Sequence, residues 1–274
     1  MGRVRVALAA VVIGVTAAGA AACGAAGAGT PAPSAVPPGS GSGPPGYEVV
    51  ATYPHDPLAY TQGLFWHDGY LYEGTGRYGT SRVRKVDPST GEVLQEASLA
   101  DDLFGEGIAR HGDRIFQLTW LSKRGFIYDA ANFELLGEFS YDTEGWGLTA
   151  DGTHLILSDG SSSLFFLDPS GQTLVRTVRV LDGDDPVDDL NELEYIDGLI
   201  YANVWHSDFI YRIDPQTGAV VDRIDFSGLL ADERPSSSEA VLNGIAFNPD
   251  SGHLFLTGKL WPKMLEVRLV DSGN

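Results

Sequence analysis

Short runs in which apolar and polar residues alternate recur along the chain and predict β-strands. Turn residues separate these runs, and no segment carries a long helical period. This combination favours an all-β fold. The clearest runs are Tyr70-Leu71-Tyr72, Arg114-Ile115-Phe116, His154-Leu155-Ile156-Leu157, Leu199-Ile200-Tyr201 and His253-Leu254-Phe255-Leu256.

One turn sequence occurs three times with small changes, at residues 87–91, 168–171 and 214–218. Each copy starts with Asp-Pro and ends with Gly. Proline presets φ at the start of the turn, and glycine adopts the positive φ that closes it. The three copies therefore mark equivalent corners of an internal repeat.

Five units open with similar short strings and set the period of that repeat. A spacing of 40 to 50 residues with about four short strands is typical of a propeller blade, because one blade cannot bury both of its faces alone. The second residue of each unit, called position p below, is separated from the next by 44, 40, 45 and 52 residues. The strings are Thr61-Gln62-Gly63-Leu64, Gly105-Glu106-Gly107-Ile108, Gly145-Trp146-Gly147-Leu148, Leu190-Asn191-Glu192-Leu193 and Leu242-Asn243-Gly244-Ile245.

The fifth unit ends near Leu269 and is one strand short of the others. Residues Tyr47 to Tyr53 precede the first unit and can supply that strand, which would close the ring and remove an exposed sheet edge. A β-sandwich is the alternative, but it gives no reason for a repeat that stays in phase. We therefore predict a five-bladed β-propeller over residues 47–271, closed by an N-terminal strand that joins the last blade.

A tight turn follows the opening string in each of the first four units, so the chain returns level with position p about 14 residues later. The longer turn of the fifth unit, at residues 248–252, moves its matching position to Lys259. Five blades around one axis would bring both sets of positions to one end of a channel. The polar and aromatic residues at these two sets of positions are Gln62, Glu106, Trp146, Asn191, Asn243, Trp120, Trp205 and Lys259.

The chemistry of these positions differs from the small apolar packing expected on inner strands. Three of the five tryptophans meet one carboxylate, one ammonium and several amides. Any single member could be structural, with Glu106 merely pairing with Lys259. Charges set among aromatic rings in a concave site favour a functional pocket.

The N-terminus has the layout of an export signal. Arg3 and Arg5 precede an apolar run from Val6 to about Val15, which is too short for a membrane span. Cys23 is the only cysteine and stands where a lipoprotein signal is cleaved and acylated, with ordinary cleavage nearby as the alternative. We predict a signal peptide at 1–23 and a protein that is extracellular or anchored through Cys23 to the outer face of the membrane.

Residues 24–46 are almost entirely Gly, Ala, Pro and Ser. Such a composition cannot bury apolar surface and predicts a disordered linker. The chain's formal charge of -19 opposes nucleic acid and anionic membrane surfaces. We expect a monomer with no nucleic-acid partner, whose contact with the membrane is limited to the lipid anchor.

The sequence gives no reason to expect a metal or another cofactor. The six histidines are scattered without ligand spacing. An acidic stretch at residues 182–189 could bind Ca²⁺, but it lacks the glycine-punctuated spacing of a calcium loop and favours a solvated surface.

Nine short motifs, in order through the whole domain, resemble those of the glutamine cyclotransferase family of plants and bacteria. They are Tyr60-Thr61-Gln62-Gly63-Leu64, Glu73-Gly74-Thr75-Gly76 with Tyr78-Gly79, Phe104-Gly105-Glu106-Gly107, Leu118-Thr119-Trp120, Glu144-Gly145-Trp146-Gly147-Leu148, Asn191-Glu192-Leu193-Glu194-Tyr195, Ala202-Asn203-Val204-Trp205, Leu242-Asn243-Gly244-Ile245-Ala246 and Thr257-Gly258-Lys259-Leu260-Trp261-Pro262.

The resemblance implies that peptides or proteins with an N-terminal glutamine are converted to pyroglutamate, without a metal and with release of ammonia. It implies that Glu106 is the essential carboxylate and that Tyr60 keeps an aromatic wall where the family often has phenylalanine. The other implied substrate-binding residues are Gln62, Phe104, Trp120, Trp146, Asn191, Trp205 and Lys259. As a hypothesis, Glu106 takes the amine proton and passes it to the leaving nitrogen.

Two other functions stay open from the residues alone, because propellers host many chemistries. One is a non-catalytic propeller that binds a peptide or sugar at the cell surface. The other is a metal-dependent, lactonase-like hydrolase. Loss of Glu106 would only weaken binding by the first, and chelators would inactivate the second.

Overall fold

The computed structural model describes residues 45–230 and 233–270 of the chain. All regular secondary structure in this part of the chain is β-strand, and no helix in it is long and apolar enough to cross a membrane. The predicted signal peptide at 1–23, its Cys23 and nearly all of the predicted linker at 24–46 lie outside the described residues.

The strands form five four-stranded sheets, which are the blades, and one small hairpin in the described residues. The first strand is β1 (Gly46–Pro54). Blade 1 contains β2 (Thr61–His67), β3 (Tyr70–Thr75), β4 (Arg82–Val86) and β5 (Val93–Ser98). Blade 2 contains β6 (Gly105–His111), β7 (Arg114–Thr119), β8 (Arg124–Asp129) and β9 (Leu135–Ser140). Blade 3 contains β10 (Leu148–Ala150), β11 (Leu155–Ser158), β12 (Ser163–Leu167) and β13 (Leu174–Arg179).

The hairpin β14 (Leu181–Asp182) and β15 (Asp185–Pro186) links blade 3 to blade 4. Blade 4 contains β16 (Leu190–Ile196), β17 (Leu199–Val204), β18 (Phe209–Ile213) and β19 (Val220–Asp225). Blade 5 contains β20 (Leu242–Asn248), β21 (His253–Gly258) and β22 (Lys263–Val270).

The first strand completes the last blade. In that sheet the order is β1-β22-β21-β20, and β1 runs antiparallel to β22 from Gly46 opposite Val270 to Pro54 opposite Lys263. The two ends of the domain thus share one ladder of hydrogen bonds, and β1 covers the edge that β22 would otherwise expose. The predicted all-β propeller and its N-terminal closing strand are confirmed.

Five clusters of buried apolar side chains fill the five interfaces between neighbouring blades in the described residues. This arrangement follows from the sequence, because each blade presents apolar residues on both faces and only stacking buries them. Pairs from the successive clusters are Phe65 with Ile115, Phe116 with Leu155, Phe166 with Ile200, Phe226 with Trp261 and Leu64 with Phe255.

A buried ionic network reinforces the junction of blades 5 and 1. The imidazole of His55, just after β1, contacts the Trp261 carbonyl oxygen at 2.6 Å and Glu73 Oε1 at 3.0 Å. Arg84 Nη2 donates to Glu73 Oε2 at 2.8 Å. Burial alone would raise the pKa of Glu73, but Arg84 and His55 hold it well below its usual range. The network joins the closing strand to both blades.

A second buried carboxylate ties three blades near the axis. Glu192 occupies the position after p in blade 4, where the other four blades have glycine. It is fully buried and accepts backbone N–H bonds from Leu64 at 3.1 Å and Ile245 at 2.9 Å. Burial, with Glu194 nearby, raises its pKa well above the usual value.

Candidate active site

A pocket of about 380 Å³ opens at one end of the channel, and its lining contains all nine predicted catalytic and substrate-binding residues. One further lining residue, Glu239, was not predicted. The described residues that line it are Tyr60, Gln62, Phe104, Glu106, Trp120, Trp146, Asn191, Trp205, Glu239 and Lys259.

Irregular strand pairing at position p directs side chains towards the axis. The register shifts between Thr61 and Gly63 in β2 and between Gly105 and Ile108 in β6. Equivalent shifts occur in β16 and β20. A β-bulge re-aims the side chain of the extra residue, which in β2 and β6 brings Gln62 and Glu106 to the pocket.

A repeated backbone hydrogen bond holds the returning strand against the opening string in four blades. The N–H of Gly76 donates to the Tyr60 carbonyl at 2.8 Å, and that of Trp120 donates to the Phe104 carbonyl at 3.0 Å. The N–H groups of Trp205 and Lys259 make the same bond, to Asp189 at 2.9 Å and to Val241 at 3.0 Å. The two sets of positions therefore lie side by side at one end of the ring.

Two of the five returning positions, Gly76 and Gly160, are glycines that leave room for aromatic rings. A Cβ on Gly76 would lie 2.4 Å from the Phe104 ring, and one on Gly160 would lie 2.7 Å from the Trp146 ring. Gly160 also has a φ of 80°, which side chains rarely adopt. The rings of Phe104 and Trp146 thus lie over glycine backbone.

Glu106 is buried, with 5% of its surface exposed. Burial raises the pKa of its carboxyl well above the usual value; Lys259 opposes this shift and Glu144 adds to it. Gln62 Nε2 donates to Glu106 Oε1 at 3.0 Å. The raised pKa makes this carboxyl group better suited to take up and hold a proton than an exposed carboxylate.

Asn243 was predicted to join the same end of the channel, and the structure places it behind Gln62. It is fully buried, and its Nδ2 donates to the Thr61 carbonyl at 2.9 Å and to Gln62 Oε1 at 3.3 Å. Because Gln62 Oε1 accepts from Asn243, its amide nitrogen faces Glu106. Asn243 thus orients a pocket residue without lining the pocket.

Lys259 supplies the cation of the pocket. Burial lowers the pKa of its ammonium, and the carboxylates of Glu106 and Glu239 oppose this. Its Nζ lies 4.8 Å from the centre of the Tyr60 ring. An ammonium over an aromatic face is held by the ring quadrupole, so Tyr60 helps to fix the position of Lys259.

Glu239 is the residue that the repeat pattern missed. It belongs to the segment between β19 and β20, which is longer than the segments that join the other blades. The Tyr60 hydroxyl donates to the Glu239 carboxylate, and burial together with this bond raises the pKa of Tyr60. The longer spacing of 52 residues before the fifth unit is the one sequence signal that additional chain enters here.

The three tryptophans of the pocket take part in two edge-to-face ring pairs. The centres of the Phe104 and Trp120 rings are 5.7 Å apart, and those of Trp146 and Trp205 are 5.8 Å apart. The indole nitrogens of Trp120 and Trp146 both donate to Glu144 Oε2, at 2.7 and 3.1 Å. The walls are apolar and fixed in orientation.

The described residues contain no group of three or more His, Cys, Asp or Glu side chains that could hold a metal ion. The acidic stretch near the small hairpin is exposed. Within it, Asp182 pairs with Arg223 at 3.2 Å.

Comparison with known proteins assigns the chain to a family. A family model described as glutamine cyclotransferase matches residues 19–269. The chain belongs to the glutamine cyclotransferase family. Over 235 residues it is 44% identical to a glutaminyl-peptide cyclotransferase from Arabidopsis thaliana, a match that covers 83% of this chain and 73% of the plant protein.

A solved cyclotransferase structure has the same fold. The crystal structure of Myxococcus xanthus glutaminyl cyclase superposes with a TM-score of 0.79 and 39% sequence identity, over 84% of this chain and 98% of that one. Membership of the glutamine cyclotransferase family identifies the chain as an enzyme rather than a binding propeller or a lactonase-like hydrolase.

Proposed function

We propose that this enzyme converts the N-terminal glutamine of peptides or proteins to pyroglutamate, with release of ammonia and without a metal. The observation that carries the proposal is a buried carboxyl of raised pKa, Glu106, in an aromatic pocket that also holds an ammonium and two amides. Such a pocket supplies both proton transfer and charge stabilisation to a neutral substrate.

The reaction exchanges one amide bond for another within a single residue. The neutral α-amine of the substrate attacks its own side-chain carbonyl carbon, and a bond forms between the α-nitrogen and Cδ. The bond from Cδ to the carboxamide nitrogen then breaks, and that nitrogen leaves as ammonia. A free α-amine titrates near pH 7.7 to 8.0, so the neutral nucleophile is available, whereas the leaving nitrogen needs a proton.

Glu106 moves that proton. Its carboxylate accepts a proton from the attacking nitrogen and donates it to the departing one, so the enzyme returns to its starting state. The raised pKa supports this role, because a shuttle works best when its pKa lies near the working pH. The bond from Gln62 holds the carboxyl in place.

Lys259, Gln62 and Asn191 stabilise the oxygen that becomes negative when Cδ is attacked. The ammonium of Lys259 and the amide N–H groups act as an oxyanion site. Lys259 and Asn191 are 4% and 2% exposed, and electrostatic stabilisation is stronger where water is excluded.

The aromatic residues fold the flexible glutamine side chain into a ring-like pose. Trp120, Trp146 and Trp205 provide flat faces for the aliphatic part of that side chain, and Phe104 and Tyr60 complete the wall. Holding the amine close to Cδ removes much of the entropic cost of ring closure. The indole faces also attract the protonated α-amine before it loses its proton.

Metal independence is part of the same proposal. The described residues that line the pocket include neither imidazole nor thiol, the ligands that zinc prefers, and Lys259 provides a resident positive charge. Export by the signal at 1–23, a lipid anchor at Cys23 and action as a monomer on peptides outside the cell are also proposed, on the sequence pattern alone.

Ammonia release from a glutamine-initiated dipeptide by the purified protein tests this function. We expect release at the same rate with and without a chelator, and no release from the same dipeptide with an acetylated N-terminus. No ammonia from the free dipeptide would contradict the proposed reaction. Loss of activity on chelation, restored by a divalent metal, would contradict metal independence.

A further inference from the structure

Glu144 lies between two walls of the pocket without lining it. It follows β9 of blade 2 and precedes Trp146 at the start of blade 3. One oxygen, Oε2, accepts from Trp120 Nε1 at 2.7 Å and from Trp146 Nε1 at 3.1 Å. A single carboxylate oxygen therefore joins indoles that come from different blades.

The backbone around Glu144 is held tightly, which fixes that oxygen. The next residue, Gly145, donates its N–H to the Trp120 carbonyl at 3.1 Å. A Cβ on Gly145 would lie 2.4 Å from the Tyr141 hydroxyl and 2.6 Å from the Thr119 carbonyl oxygen. The Trp146 N–H donates to the Ser158 carbonyl at 3.0 Å. The segment cannot shift without disturbing both blades.

The charge of Glu144 also acts on Glu106. Burial is the main cause of the raised pKa of Glu106, and the carboxylate of Glu144 raises it further, against the ammonium of Lys259. The other titratable groups that interact with Glu106 or share its pocket are Tyr60, Tyr141 and Glu239. Unlike these three groups, Glu144 both accepts hydrogen bonds from the indoles and strengthens the proton affinity of Glu106.

We propose that Glu144 is a positioning residue for the reaction: it holds the Trp120 and Trp146 indoles as one rigid wall and keeps a negative charge near the Glu106 carboxyl. The proposal rests on the function proposed above. Its two parts can be separated, because both indoles donate to the same oxygen. The carbonyl oxygen of a glutamine can keep both hydrogen bonds while the charge is removed.

The test compares Glu144→Gln and Glu144→Ala in the purified protein, by ammonia release from a glutamine-initiated dipeptide between pH 5 and 10. In Glu144→Gln we expect KM close to wild type and the enzyme's acid limb of kcat shifted to lower pH by about half a unit or more. The substrate α-amine also titrates in this pH range, but its effect on the profile is the same for wild type and both variants. In Glu144→Ala we expect kcat/KM to fall about tenfold or more, mainly through KM, with red-shifted tryptophan emission.

Glu134→Gln is the matched control, since Glu134 is an exposed carboxylate on blade 2 and its loss should change neither the pH profile nor KM. An acid limb in Glu144→Gln that coincides with wild type would overturn the role of the charge. Unchanged KM and emission in a folded Glu144→Ala would overturn the role in positioning. If Glu144→Ala does not fold, Glu144→Asp takes its place, because its shorter side chain keeps the charge but withdraws the oxygen from both indoles; unchanged KM and emission in that variant would overturn the positioning role.

A wild-type protein that releases no ammonia would contradict the proposed function itself. The emission spectra of the two variants still report on the indoles in that case. An unchanged emission in Glu144→Ala would show separately that Glu144 does not hold them.

Discussion

At the scale of single residues, the chemistry depends on how one carboxyl is held. Asn243 donates to Gln62, and Gln62 donates to Glu106, so a buried amide chain fixes the carboxyl before substrate arrives. Burial penalises the charged form of Glu106 more strongly than Lys259 can offset, and its pKa is raised. The enzyme thereby sacrifices some folding stability for a carboxyl with an increased affinity for a proton.

Glu106→Gln should therefore stabilise the fold at neutral pH. A carboxyl whose folded pKa exceeds its unfolded value of about 4.3 contributes most to stability at low pH, and that contribution is lost as pH rises towards the folded pKa. Glutamine at this position does not ionise, so the variant does not lose stability in this way as the pH rises. Thermal unfolding should give a higher midpoint than wild type at pH 8, by roughly 2–4 °C per kcal/mol in a domain of this size.

The difference between the two midpoints should shrink as the pH is lowered towards 4. A variant that melts below wild type at pH 8, or a difference that does not depend on pH, would contradict the raised pKa of Glu106.

At the scale of elements, the pocket is made by departures from regular strands. The β-bulges at position p direct Gln62 and Glu106 inwards, and Gly160 after β11 leaves space for Trp146. Side-chain alternation in the sequence indicates strands but does not show where pairing slips by one residue. The bulges were not predicted for that reason.

Gly160→Ala should weaken substrate binding because its Cβ would lie within 3 Å of the Trp146 ring. We expect a loss of about 1–3 kcal/mol of stability from the positive φ and the clash, and an increased KM for the glutamine dipeptide.

Gly152→Ala is the matched control, since Gly152 lies in the same blade with a φ of 83° and has nothing within 4 Å of the added Cβ. It should lose stability but keep its KM. Equal KM values in the two variants would show that the position of Trp146 does not depend on Gly160.

At the scale of the whole molecule, a fivefold ring brings distant residues to one site. The repeat length, the number of blades and the closing role of β1 could all be predicted, because a phase-locked pattern of strands leaves few other ways to bury apolar faces. The structure shows this repeat as one backbone hydrogen bond that recurs at the equivalent position of four blades. It holds the returning residue beside the opening string at Gly76, Trp120, Trp205 and Lys259.

What the sequence could not predict lies outside the repeat or depends on side-chain direction. Glu239 comes from the segment before the opening string of blade 5, which is longer than the segments between the other blades, so the repeat pattern does not place it. Asn243 occupies position p in blade 5, as Gln62 does in blade 1, but its side chain donates a hydrogen bond to Gln62 instead of lining the pocket. The joint bond of Glu144 to two indoles needs three-dimensional distances between blades.

The kinetics of Glu106→Gln show whether Glu106 carries the proton. Glutamine preserves the shape of Glu106 and its contact with Gln62 but cannot carry the proton. With Glu134→Gln as the isosteric surface control, we predict that kcat for ammonia release falls about a hundredfold or more in a folded Glu106→Gln protein, while the control matches wild type. Ammonia release by Glu106→Gln at close to the wild-type rate would contradict the role of Glu106 as the proton shuttle.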